Sequence, residues 1–350
     1  MKLLLWIALL LFPAALQAQQ VISNSTPSGF LTLNIAAGTG TTSTISLLAA
    51  PLLNDANATG QVKGVITSLT ANTISNSNAG WATSPTQLSN ASAPTLIRIT
   101  SGTASGRTFL VSTSTANTAT TVTIDAGDAA QTDLTTLGIV PNTDTYELLA
   151  GYTLSSLLPS SSGVLTGTAP ASADNVQLFV TGAWRQYYYN TTSGWLRIGL
   201  NSNANNLVIR PDTAIIYSRL ANTPLSLVLT GSVPTTPAAS VVANSGVSFV
   251  GNSWPSDLTL GTSNINSISG WVSNASPSSA DIVQFFVSGA WRQYYFDPTN
   301  NGTTTPHWRR VGLNTVSDNQ VIPAGTGVIL SKQGAAAGTT LLSQSLPYNL

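Results

Sequence analysis

Side chains able to carry acid–base or nucleophilic chemistry are scarce in this chain. Its 350 residues include one histidine, His307, and a single glutamate, Glu147, among twelve acidic residues. Cysteine is absent, which excludes thiol catalysis, disulfides and Cys-ligated metal centres. His307 sits where the second copy of a repeat is expanded by six residues, and the first copy has Gly194 in its place, so it reads as an exposed loop imidazole. No nucleophile-elbow motif supports a Ser–His–Asp site. Glycoside hydrolysis needs two carboxylates across the scissile bond, and one glutamate in a strand-like run does not supply them. Asp125, Asp128 and Asp133 in "DAGDAAQTD" invite a calcium reading. Their spacing misses the EF-hand pattern, and turn-capping roles suit them better. Asp174 and Asp281 each precede a strand at the same place in a repeated phrase, where an Asp accepts backbone N–H bonds. No metal, cofactor or catalytic residue is expected.

The aromatic residues offer more. "ADNVQLFVTGAWRQYY" from Ala173 recurs from Ala280 as "ADIVQFFVSGAWRQYY", with thirteen of sixteen residues identical. On a strand, Arg185, Tyr187 and Tyr189 share one side, as do Arg292, Tyr294 and Phe296 in the second copy. Trp184, Gln186 and Tyr188 take the other side, with Trp291, Gln293 and Tyr295 repeating them. One side must be core, and the other suits stacking on sugar rings or on another chain. Arg185, Tyr187, Tyr189, Arg292, Tyr294 and Phe296 are expected to form the open, ligand-binding side. The Trp184/Tyr188 and Trp291/Tyr295 side is the candidate if those rings are buried instead.

The elements that must position these residues are nearly all strands. "GFLTLNI", "TLIRIT", "RTFLVS" and "TTVTID" alternate apolar and polar residues, separated by turn-rich spacers. "DAAQTDLTTLGI" holds room for one short helical turn. Gly38 and Gly40 read as a hairpin turn. The duplication continues past the phrase: Trp195 to Asn201 matches Trp308 to Asn314, and Asn206 to Arg219 matches Asn319 to Lys332. More weakly, Tyr146 to Leu158 resembles Val247 to Leu260. The expected fold is all-β. A signal peptide (1–18) precedes an N-terminal antiparallel domain, barrel- or sandwich-like (19–145). Two homologous β-meander modules follow (146–236 and 247–350), joined by a linker (237–246) and packed on each other or stacked.

The phrases "TPSGFLTLNI", "LIRITSGTASGRTFLVST", "FVGNSWPSDLTL" and "VIPAGTGVILSK" together resemble a paralogous family of secreted β-rich proteins from verrucomicrobial genomes. The resemblance implies export and a β fold, and it transfers no catalytic residue. It agrees with Lys2 followed by the apolar "LLLWIALLLFPAAL" and a small-residue cleavage site at Ala18. Only 7% of residues are charged, against roughly 25% in an ordinary soluble protein. Net charge is zero, so there is no field to draw nucleic acid or an anionic membrane. No later segment is apolar for long enough to span a bilayer as a helix. The expected function is a secreted, non-enzymatic structural or adhesive protein of the cell surface or matrix. Carbohydrate binding is the alternative, and a hydrolase is third. Polysaccharide and self-association are the expected partners.

Overall fold

In the repeated phrase, a two-residue connection makes Val180 pair with Ala183, and this fixes the register of the whole hairpin. The computed structural model describes residues 27–349 apart from 55–62, 80, 82–87, 89, 116, 130–131, 181–182, 288, 300–304 and 335. The expected signal peptide and most of the segment between Asp297 and His307 lie outside the described residues. The protein is mostly β, with 43% strand, 9% helix and antiparallel sheets throughout.

Both copies of the phrase build the same five-stranded sheet. In the first, the strand order is Gly194–Arg197, Ala183–Asn190, Asn175–Val180, Ile215–Arg219 and Thr44–Leu48. In the second it is His307–Arg310, Ala290–Asp297, Ile282–Val287, Gly327–Lys332 and Gly246–Gly251. Each sheet is joined by a two-stranded ribbon, Ser28–Ile35 with Leu225–Ser232 and Ala238–Ala243 with Thr339–Gln344. A tight turn recurs as well. Gly199 and Gly312 have φ of 84° and 83°, and Asn201 and Asn314 have φ of 50° and 51°. The repeated "GLN" is therefore a requirement of left-handed backbone that Gly and Asn meet at least cost.

The strand pairing divides the chain differently from the expected boundaries. Ser28–Ile35 and Thr44–Leu48, from within 19–145, pair with strands of the first module. Between them and the rest of that module in the sequence, the described residues of 63–150 pair only among themselves in strands. They form a four-stranded and a three-stranded sheet around one core that includes Ile66, Ile74, Ile97, Val122 and Tyr146. Thr145–Ala150 belongs to these sheets, not to the first module as its likeness to Val247–Gly251 suggested. Alternating apolar residues look alike in any half-buried strand. Residues 237–246 are no bare linker, since Ala238–Ala243 is a ribbon strand. Gly38 and Gly40 do not close a hairpin, because the strands on either side pair with different partners. The short helix Leu134–Thr136 falls within the stretch expected to hold one helical turn, and a second, Ala126–Ala129, begins two residues before that stretch.

The two modules pack on each other about a pseudo-twofold axis. Leu48 lies opposite Ile215 and Val250 opposite the matching Val328, which makes Ala49 the counterpart of Gly251. Ala49 N–H donates to Gly325 O at 2.8 Å, and Gly251 N–H donates to Asp212 O at 2.9 Å. Asp212 and Gly325 are themselves counterparts, so these two bonds are reciprocal, the mark of an isologous contact. Counterparts also touch directly. A Cβ on Gly251 would stand 2.9 Å from the Ala49 Cβ, and one on Gly327 would stand 2.3 Å from the Cβ of its counterpart Ala214. Gly327→Ala is expected to cost about 1–3 kcal/mol by overpacking, seen as a lower urea midpoint. Adding Ala214→Gly should recover part of the loss. An unchanged midpoint in Gly327→Ala would contradict this interface.

Candidate binding surface

Register decides which side of the repeated strand is core. Val176 pairs with both Tyr187 and Tyr217, so these three side chains share a side, and Val283 with Tyr294 and Leu330 repeats the arrangement. That side faces inward. Tyr187 and Tyr294 are 3% and 1% exposed, in cores with Trp195 and Trp308. Tyr189 meets Trp195 edge to face at 5.1 Å, and Phe296 meets Trp308 at 5.4 Å. Arg185 and Arg292 on the same side are half-buried. The six residues expected to form the open face therefore lie on the inward side, with their rings in or against the cores. The aliphatic Val176, Leu178 and Val283 of the neighbouring strands draw the rings to that side.

The opposite side carries a different row. Trp184 is 46% exposed and is fixed by two edge-to-face neighbours, Phe179 at 5.4 Å and Phe249 of the second module at 4.7 Å. Trp291 repeats the first contact with Phe286 at 5.4 Å. One row further along, Gln177 pairs with Gln186 and Gln284 with Gln293. Gln186 and Gln293 are exposed, and the Gln293 amide donates to Gln284 Oε1 at 3.0 Å. Tyr188 and Tyr295, on this side too, are covered, and the Tyr295 hydroxyl donates to Asn314 Oδ1 at 2.8 Å. The sequence signal for this face was present. A two-residue connection places the glutamines of both strands beside the tryptophans, and glutamine seeks water.

The ionisable groups form internal staples. Buried Asp174 accepts from Arg219 at 2.5 Å, the Tyr217 hydroxyl at 2.6 Å, Leu165 N at 2.9 Å and Leu220 N at 2.7 Å. Asp281 accepts from the matching Val272 N and Gln333 N, with Lys332 at 3.9 Å. Burial holds the Lys332 ammonium below the usual lysine range. Burial, then the neighbouring Asp174 carboxylate, pushes the Tyr217 phenol well up. The expected strand-capping role of both aspartates is thus present. Asp297 pairs with Arg309 at 2.8 Å, and although burial opposes it, bonds from Thr299 and Arg309 hold its carboxyl low.

Glu147 lies 3.7 Å from Arg98 and accepts from Thr236 at 2.6 Å, tying residues 63–150 to the ribbon region. Asp128 is bound to Arg210 at 2.5 Å and to Leu110 N. Asp125 and Asp133 accept from turn N–H groups of Gly127 and Thr135. Among the described residues no group of three or more His, Asp or Glu side chains is placed to hold a metal.

His307 opens the strand His307–Arg310 and is not a loop residue. Its Nδ1 meets Asp318, and its Nε2 shares a hydrogen bond with Thr305 Oγ1 at 3.1 Å. Asp318 Oδ1 also accepts from Trp308 N at 2.8 Å. In the first module Asn205 does the same for Trp195 N at 2.8 Å, and its amide donates to Ser193 O at 3.1 Å. Asp318 in the second module and Asn205 in the first thus hold the backbone N–H of matching tryptophans, one with a carboxylate and the other with an amide.

No family model, curated protein or solved structure matches this chain. Among the described residues no helix is long and apolar enough to cross a membrane.

Proposed function

We propose that this chain is a secreted, non-enzymatic scaffold or adhesive protein of the cell surface or extracellular matrix. The observation that supports the reading most directly is the use made of the ionisable groups. Asp174, Asp281, Asp297, Asp318 and Glu147 all anchor backbone or basic side chains at strand ends and unit junctions. Catalysis asks for such groups to stand beside a substrate, and here they hold the structure. The low charge, 7% of residues, leaves a surface of hydroxyls and amides suited to close contact with other neutral surfaces.

The reading is tested by expressing the full chain in a bacterial host and measuring export, retention and attachment of the cells to surfaces. Attachment should rise with the chain present. The purified protein should leave nitrophenyl esters and glycosides unchanged. Turnover abolished by His307→Ala and by Asp318→Ala would replace this reading with a hydrolase. A second reading, carbohydrate binding, is favoured by the outward tryptophan and glutamine rows.

A further inference from the structure

We infer that the outward rows, Trp184 with Gln177 and Gln186 and Trp291 with Gln284 and Gln293, are paired subsites for an uncharged polysaccharide. This assignment rests on the adhesive reading above and names the partner. A pyranose ring offers an apolar C–H face and a rim of hydroxyls. The negative face of an indole attracts the C–H hydrogens, and a fixed ring loses little entropy on stacking. Trp184 is such a ring, held between Phe179 and Phe249 while 46% exposed. Each glutamine amide beside it is both donor and acceptor, which matches a hydroxyl in either role. The tryptophan and glutamine rows contain no ionisable residue, so a charged ligand would find no counter-charge there.

A protein partner fits less well, because the centre of a stable protein interface is dry and tightly packed, whereas here the exposed Gln186 and Gln293 amides stand beside an exposed Trp184 and a half-buried Trp291. The rows occur once per module, so one polymer that reaches both gains avidity over either subsite alone.

The test uses the full chain in affinity gel electrophoresis against cellulose derivatives, β-1,3-glucan, xylan, mannan and galactan, with heparin as a charged control. At least one neutral polymer should retard the protein, and heparin should not. Trp184→Ala and Trp291→Ala should each weaken retardation roughly five- to tenfold, as loss of one aromatic contact implies. The double variant should lose it. Because Trp184 also touches Phe249, the exposed pair Gln186→Ala and Gln293→Ala provides a second variant whose folding is not at risk, and it should weaken binding too.

Absence of retardation by every neutral polymer overturns the assignment, as does retardation unaffected by both double variants. Self-association that both double variants abolish, without polysaccharide binding, also overturns it and gives the face to a second copy of the chain. Cell attachment unchanged in both double variants removes these subsites and leaves the adhesive reading standing. No attachment by the unaltered chain removes that reading itself.

Discussion

Asp174→Ala is expected to destabilise the protein by about 3–5 kcal/mol, the cost of leaving a buried charge without its partner. Asp174 is fully buried, and Arg219 beside it is 3% exposed. One carboxylate oxygen accepts from Arg219, Tyr217 and Leu165 N, while the other accepts from Leu220 N. Alanine removes the acceptor for all four donors at once, and the guanidinium cannot shed its proton to escape. Asp281→Ala should cost less. Its cation, Lys332, stands 3.9 Å away, also donates to Ser269 O, and is already held below the usual lysine range by burial. A lysine in that position answers the loss of its partner by becoming neutral. Urea midpoints of the two variants measure the difference. Arg219→Met in the Asp174→Ala chain should regain part of the stability, since it removes the orphaned charge. A cost below about 1 kcal/mol for Asp174→Ala would mean that the staple is solvated and that the described burial is wrong.

The same two aspartates show what the sequence could convey. Their recurrence before "VQLFV" and "VQFFV" told that a backbone site needed a carboxylate twice, and the accepted N–H groups are counterparts in the two copies. Local information of that kind survives in one chain, because the residue and the turn it caps are close in sequence. The all-β character was legible for the same reason: alternation is local. What could not be read was pairing across long separations. Thr44–Leu48 and Gly246–Gly251 occupy equivalent edges of the two sheets. "TISLL" and "GVSFVG" nevertheless share little beyond alternation. Nothing in either segment announces its partner strand, so the first module was expected to start only after residue 145.

The pseudo-twofold axis lay equally deep. Ala49, Ala214, Gly251 and Gly327 are small residues in a chain full of small residues. Only the close approach of counterparts shows that their size is required. The faces of the repeated strand are more nearly legible in the sequence. Aromatic rings on both sides made either side a plausible core by hydrophobicity. The neighbouring strand held the answer, because Val176 and Leu178 alternate with Gln177 and the hairpin register carries that alternation across to Tyr187 and Gln186.

Tyr187→Ala and Tyr294→Ala should therefore behave as core truncations, each costing about 3–5 kcal/mol. Tyr294 is 1% exposed, stacks on Phe285 with centroids 5.1 Å apart, and donates its hydroxyl to Gln320 Oε1 at 2.8 Å. Removing the ring leaves a void beside Val283, Phe285 and Trp308, whose positions are fixed by strand pairing and cannot collapse far. Tyr294→Phe separates the contributions. It keeps the ring and gives up one hydrogen bond, so it should cost about 1 kcal/mol. Gln186→Ala and Gln293→Ala, one row over on the outward side, should stay within about 0.5 kcal/mol of the unaltered chain. The pattern across these variants reads out the orientation of the strand, since a hairpin slipped by one residue would exchange the two sets of effects. Near-native midpoints for both tyrosine variants, with losses of several kcal/mol for the glutamines, would turn the sheets over. The open face would then be Arg185, Tyr187 and Tyr189 with Arg292, Tyr294 and Phe296, and the tryptophans would lie inside.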